Sequence, residues 1–183
     1  MSLAGFIQIK KVGKDSKEMA STHFSMYELR CKSPDAPNIF LFDQKLLLAG
    51  EYLRTILVSR ILPLSTFRTD THNDNVPGAV NDSQHEEGRA FDITFLDNRE
   101  ENILRLRHEV ETRGPIYQAL RKIGINGFGF YDTFVHLDTR TTPGYQVDNK
   151  HGRFAMWNEQ KDLKKKMFRL TCPTCGQKGY LPS

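Results

Sequence analysis

Three cysteines in 183 residues are too few, and odd in number, for a disulfide framework, so an apolar core has to carry the fold. No apolar run approaches the ~20 residues that a membrane-spanning helix needs, which excludes insertion by a helix of that kind. The opening Met-Ser-Leu-Ala-Gly-Phe-Ile-Gln-Ile-Lys-Lys puts its charges after a brief apolar stretch. A secretory signal has the reverse order and a small-residue cleavage site, so the expectation is a chain made in the cytoplasm. No internal repeat is visible. A large excess of charge of one sign is missing along most of the chain as well. From Lys150 onward eight Lys/Arg face only Glu159 and Asp162, a net of +6, which leaves −2 for the rest of a chain whose total is +4. With a near-neutral body and no aromatic–basic stripe, nucleic acid is not the expected partner.

What is there reads as one folded domain with appendages. The composition is 38% hydrophobic and 26% charged, and a chain of this length buries roughly two-thirds of its unfolded surface. Residues 1–22 are polar and lysine-rich, an extended or loosely held N-terminal arm. Ser25-Met26-Tyr27-Glu28 has the form of a capping box and predicts a short helix, broken by Ser33-Pro34-Asp35-Ala36-Pro37. Asp43 is placed to cap a longer helix through about Ser59, with Leu46, Leu47, Leu53, Ile56 and Leu57 near one face. Ile61 to Arg68 alternates as a strand, and Thr69 to Asp82 is rich in the residues of loops. Arg89 to Leu96 is a strand with Ala90, Asp92 and Thr94 on one side and Phe91, Ile93 and Phe95 on the other. Helices are predicted from about Arg99 to Arg113 and, after Gly114-Pro115, through Lys122. Residues 127–131 and 134–139 read as a hairpin around Asp132-Thr133. The pattern is α+β: helices first, then a small, largely antiparallel sheet that carries the chemistry.

The chemistry lies in two short runs, Ser83-Gln84-His85-Glu86-Glu87-Gly88-Arg89-Ala90-Phe91-Asp92 and Phe134-Val135-His136-Leu137-Asp138. Strand alternation puts His136 and Asp138 on one face and Val135 and Leu137 on the other. Asp92 sits between Phe91 and Ile93, where a carboxylate is costly unless paired or bound to a cation. Gly88 permits a tight turn that folds His85 back beside Asp92. His85, Asp92 and His136 then form a three-ligand set of the kind that holds catalytic zinc and leaves a fourth position for water. Taken singly, each also has an ordinary reading as a core, surface or capping residue; the joint pattern is what points to a metal.

At these residues the chain resembles the zinc D-alanyl-D-alanine carboxypeptidase and L-alanyl-D-glutamate endopeptidase family, whose fold is shared with the hedgehog signalling domain. His23-Phe24-Ser25-Met26-Tyr27-Glu28-Leu29 resembles the family's opening helix, and Ser65-Thr66-Phe67-Arg68 with His72-Asn73 its Ser-Gly-Tyr-Arg and Asn segment. Gly127-Phe128-Gly129-Phe130-Tyr131 precedes the last histidine as in the family, and Arg153 to Trp157 resembles its trailing Arg/Trp motif. The resemblance covers about residues 23–157. It implies zinc held by His85, Asp92 and His136, and a peptidoglycan stem peptide as substrate. It implies that Arg68 binds the substrate carboxylate or polarises the scissile carbonyl, a role that suits a permanently charged fork; a structural salt bridge is its other reading. Ser83 either hydrogen-bonds substrate or shapes the loop.

The general base is where the chain departs from the family. Many relatives carry Glu, Asp or His two or three residues before the last histidine, where this chain has Phe134 and Thr133. Asp138 is the first candidate because it shares the face of His136. Asp132, one residue off the family spacing, is the second, and Glu86 and Glu87 are expected to face solvent. A non-catalytic zinc-binding recognition module on the same fold is the competing reading. Residues 158–183 form a basic tail in which Cys172-Pro173-Thr174-Cys175-Gly176 is half of a zinc-knuckle pattern, with Cys31 and a histidine such as His151 as the conceivable completion. A wall substrate lies outside the membrane, so the resemblance also implies delivery of the phage or prophage-lysin kind.

Overall fold

The computed structural model describes residues 7–35, 38–76, 83–142, 144–159, 169–171 and 178–180. The first half contains β1 (Ile7–Lys11), β2 (Ile39–Asp43), α1 (Gln44–Ile56), β3 (Ile61–Ser65), α2 (Asp70–Asp74) and β4 (Ala90–Phe95). The second contains α3 (Arg99–Thr112), α4 (Pro115–Ile123), β5 (Gly127–Phe130), β6 (Val135–Asp138), β7 (Gln146–Asp148), β8 (Gly152–Asn158), β9 (Arg169–Thr171) and β10 (Lys178–Tyr180). No helix among the described residues is long and apolar enough to cross a membrane.

The α+β expectation holds, but the central sheet is mixed rather than largely antiparallel. Its six strands run in the order β3-β4-β6-β5-β8-β7. The β5–β6 hairpin leaves one side of β5 open, and β8 fills it in parallel, pairing Gly127 with Ala155 and Gly129 with Trp157. A parallel neighbour needs a crossover connection, here the excursion after β6 through β7.

The sheet has two unlike faces. Phe91, Ile93 and Phe95 of β4, Phe128 and Phe130 of β5, and Val135 and Leu137 of β6 are buried in the core. Leu46 and Leu53 of α1, Leu106 and Val110 of α3, and Tyr117 and Leu120 of α4 join the same cluster. Phe91 is its hinge, meeting Phe42 edge-on at 4.9 Å and Phe24 at 6.0 Å. Full burial of each such ring contributes about 2–3 kcal/mol. The opposite face carries Asp92, His136 and Asp138.

Three local expectations change. The Ser25–Glu28 capping box forms, with Ser25 N–H and Oγ–H donating to Glu28 at 2.9 and 2.7 Å and Glu28 N–H donating to Ser25 Oγ at 3.2 Å. It closes only a turn and no helix, because the chain must turn away at Ser33-Pro34. The stretch expected as loop after Thr69 contains α2, whose cap is the Thr69 hydroxyl accepting from His72 N–H at 3.2 Å; residues 77–82 of that stretch lie outside the described residues. The N-terminal arm is held where it is described: β1 pairs antiparallel with β2, and Val12 just beyond it is buried.

Asp43 caps α1 as expected, accepting from Lys45 N–H at 2.9 Å. It does more than that. Its other carboxylate oxygen accepts from the Thr139 hydroxyl at 2.6 Å, and its own N–H donates to the Gly88 carbonyl at 2.9 Å.

Candidate metal centre

β3 is an edge strand, where a proline is tolerated, and its register shifts between Pro63 and Ser65. The bulge turns the following segment toward β4, bringing Ser65 opposite Asp92. Thr66 and Arg68 follow on the same segment. Arg68 N–H donates to the His85 carbonyl at 3.1 Å, which pins the His85 turn against it. Gly88 closes that turn with φ of +67°, and a Cβ there would come within 2.8 Å of the Leu41 carbonyl oxygen. The position needs glycine on both counts.

His85 is buried, its Nδ1–H donating to the Thr66 carbonyl at 2.5 Å. That bond makes Nδ1 the donor to the backbone and turns Nε2 to Asp92, 3.2 Å from Oδ2. His136 presents the other nitrogen: Nδ1 lies 2.8 Å from Asp92 Oδ1, and Nε2 lies 3.2 Å from Asp138 Oδ2. The ligand atoms of His85, Asp92 and His136 all lie within 4.8 Å of one another. The three residues that strand alternation and the His85 turn were expected to assemble do come together.

Electrostatics follow from this packing. Burial pushes the Asp92 carboxyl up, but the charge of His85 and hydrogen bonds from His136 and His85 outweigh it and hold Asp92 well below the carboxylate range. Burial pushes His85 down, against the pull of Asp92. Burial would do the same to His136, yet its bonds to Asp138 and Asp92 raise it to about 9. Asp138 is driven up by burial and more strongly down by hydrogen bonds from His136 and Arg140, to about 2.

The other expected residues have defined surroundings. Arg68 Nη2 donates to Asp92 Oδ2 at 2.8 Å and its Nε to Ser65 Oγ at 2.8 Å, so the guanidinium borders the cluster. Ser83 is buried, and its Oγ accepts from His85 N–H at 3.4 Å. Asp138 is fully buried, with Arg140 donating from Nε to both carboxylate oxygens, at 2.9 and 3.0 Å, and from Nη2 at 2.5 Å. Asp132 is exposed in the hairpin turn. Glu87 is exposed and pairs with Arg89 at 3.2 Å. Cys172 and Cys175 lie outside the described residues, as do the lysines at 164–166. Of their conceivable partners, Cys31 is buried and the His151 ring bonds Gln118 at 2.8 Å.

A family model described as peptidase M15 matches residues 22–138. The chain belongs to the peptidase M15 family. No curated protein and no solved structure gives a match. The M15 match spans all three candidate ligands, and the family is one of zinc-dependent metallopeptidases. The donors suit that ion: two imidazoles, each with its far nitrogen anchored, and one buried carboxylate are a set that zinc takes with a position left open.

The Thr66 carbonyl, Arg140 and Trp157 also border the cluster, and the sequence pattern assigns none of them a role. A backbone acceptor leaves no mark in a sequence. Arg140 lies two residues beyond Asp138, and that spacing alone does not require it to fold back onto the carboxylate. The Trp157 ring lies 5.1 Å from that of His136, a proximity that only the parallel pairing of β5 and β8 creates.

Proposed function

We propose that this chain is a zinc-dependent peptidase that hydrolyses an amide bond in peptidoglycan stem peptides, as a carboxypeptidase or an endopeptidase. The observation that carries the reading is the buried His85–Asp92–His136 cluster, which sets His85 of a turn beside Asp92 and His136 of two paired strands, in a chain of the M15 family. His85, Asp92 and His136 would hold the ion. When bound, zinc supplies Lewis acidity and acidifies water to a pKa of about 7.

The chain's own groups supply the rest. Arg68 is permanently charged and forked, and it borders the cluster through Asp92; it binds the substrate carboxylate or the developing oxyanion. Ser83 shapes the His85 turn. The exposure of Asp132, against the buried and fully engaged carboxylate of Asp138, favours Asp132 as the group that takes a proton from water and passes it to the leaving amine. Asp138 then serves to hold His136.

Turnover of purified peptidoglycan tests this. The wild type with zinc is expected to release either free D-alanine or fragments with a new amino terminus, which separates carboxypeptidase from endopeptidase. His136→Ala should abolish both. Asp132→Asn should lower kcat with zinc affinity unchanged, whereas Asp138→Asn should weaken zinc binding about 10- to 100-fold. No product from several wall types overturns the hydrolase reading. Tight binding of stem peptide without turnover would instead support a recognition module, which the missing acid at Thr133 and Phe134 favours.

A further inference from the structure

The face that carries the cluster is laid out in rows across the sheet. Asp92, His136, Gly129 and Trp157 are paired neighbours on β4, β6, β5 and β8. Ala90, Asp138, Gly127 and Ala155 form the next row. The glycines in these rows adopt no left-handed backbone, so their role is space. A Cβ on Gly129 would lie 2.5 Å from the Trp157 indole, and one on Gly127 would fall inside the volume of the Asp138 carboxylate. The floor of the sheet is hollowed to admit two groups behind His136.

Those groups are themselves held. The Trp157 indole N–H donates to the Tyr131 hydroxyl at 3.0 Å, and the Tyr131 ring stacks on Phe134 at 4.2 Å. The Arg140 guanidinium sits 5.3 Å from the Trp157 ring centre while gripping Asp138. A buried carboxylate is costly unless it is paired, and Arg140 is the pair that Asp138 has. With Arg140 holding it, the Asp138 carboxylate is fixed 3.2 Å from His136 Nε2, which leaves Nδ1 as the nitrogen on the Asp92 side, 2.8 Å from Oδ1.

We infer that Arg140 is a positioning residue for the metal centre, acting through Asp138 and braced by Trp157 to select the His136 nitrogen that the ion meets. The inference rests on the metal reading above. Its effect is on metal affinity and tautomer, and it does not require Arg140 to touch substrate.

Zinc affinity by chelator competition, the visible spectrum of the cobalt-substituted protein, and ring ¹H–¹⁵N correlations of His136 test it on the full chain. Arg140→Gln is expected to weaken zinc binding about 10- to 100-fold, shift the cobalt spectrum and lose the Nε2–H tautomer. Arg140→Lys keeps the charge and loses the fork, so its affinity should fall between the two while its spectrum still shifts. The Arg140 side chain is 26% exposed, and the lysine variant gives the same comparison should the glutamine variant fail to fold. Variants that match the wild type in affinity, spectrum and tautomer overturn the inference and leave an ordinary ion pair. A wild type that binds neither metal overturns the metal reading, and this inference with it.

Discussion

At the scale of single residues, the site depends on small side chains as much as on charged ones. Gly129→Ala would drive a methyl group into the Trp157 indole, and overpacking of this kind costs about 1–3 kcal/mol. Denaturant unfolding of the metal-free protein should show that loss, and zinc affinity should drop with it; an alanine variant as stable as the wild type would show that the indole moves freely. His85, Asp92 and His136 were legible in the sequence because strand alternation and a turn glycine place them without knowledge of the fold. The engagement of Asp138 was not. Nothing in Phe-Val-His-Leu-Asp tells that Arg140 folds back onto the carboxylate and takes both oxygens.

At the scale of elements, α1 is tied at both its start and its middle. Midway along it, Glu51 accepts from Ser21 Oγ–H at 2.6 Å and from His23 N–H at 2.8 Å, fastening the segment that precedes Phe24. Burial pushes the Glu51 carboxyl up, but hydrogen bonds from Ser21 and His23 outweigh it and hold it below the usual range. A folded-state pKa below the unfolded value stabilises the fold above the ordinary glutamate pKa of about 4.3. That contribution is lost as the pH falls through the lowered folded value. Glu51→Gln should therefore lower Tm by about 2 °C near neutral pH, with the gap closing as the pH falls below the ordinary glutamate range. A gap that stays constant over that range would assign the effect to packing. The long elements were readable from periodicity and caps. β2 was not, although Phe40 and Phe42 alternate, because its five residues run directly into a helix cap. α2 was hidden by Asn and Asp, which favour turns and helix caps alike.

At the scale of the whole molecule, metal and fold should be linked. A ligand that binds only the folded state adds about 2.7 kcal/mol at a hundredfold excess over its Kd. For a chain of this length that is a Tm rise of about 5–10 °C. Thermal scans should show the rise with zinc, its reversal by a chelator, and its absence in His136→Ala. A wild type whose Tm ignores zinc would sink the metal reading. The pairing that builds the site's rear wall, β5 beside β8, could not be read from the sequence, since a strand's own pattern does not name its neighbours.

Asp43 makes that linkage mechanical. One residue joins the start of α1 to the turn that bears His85 and to the chain just past His136. These three segments share one fastening, so they should open as a single cooperative unit. The lifetime of the assembled ligand set would then be that of the first turn of α1.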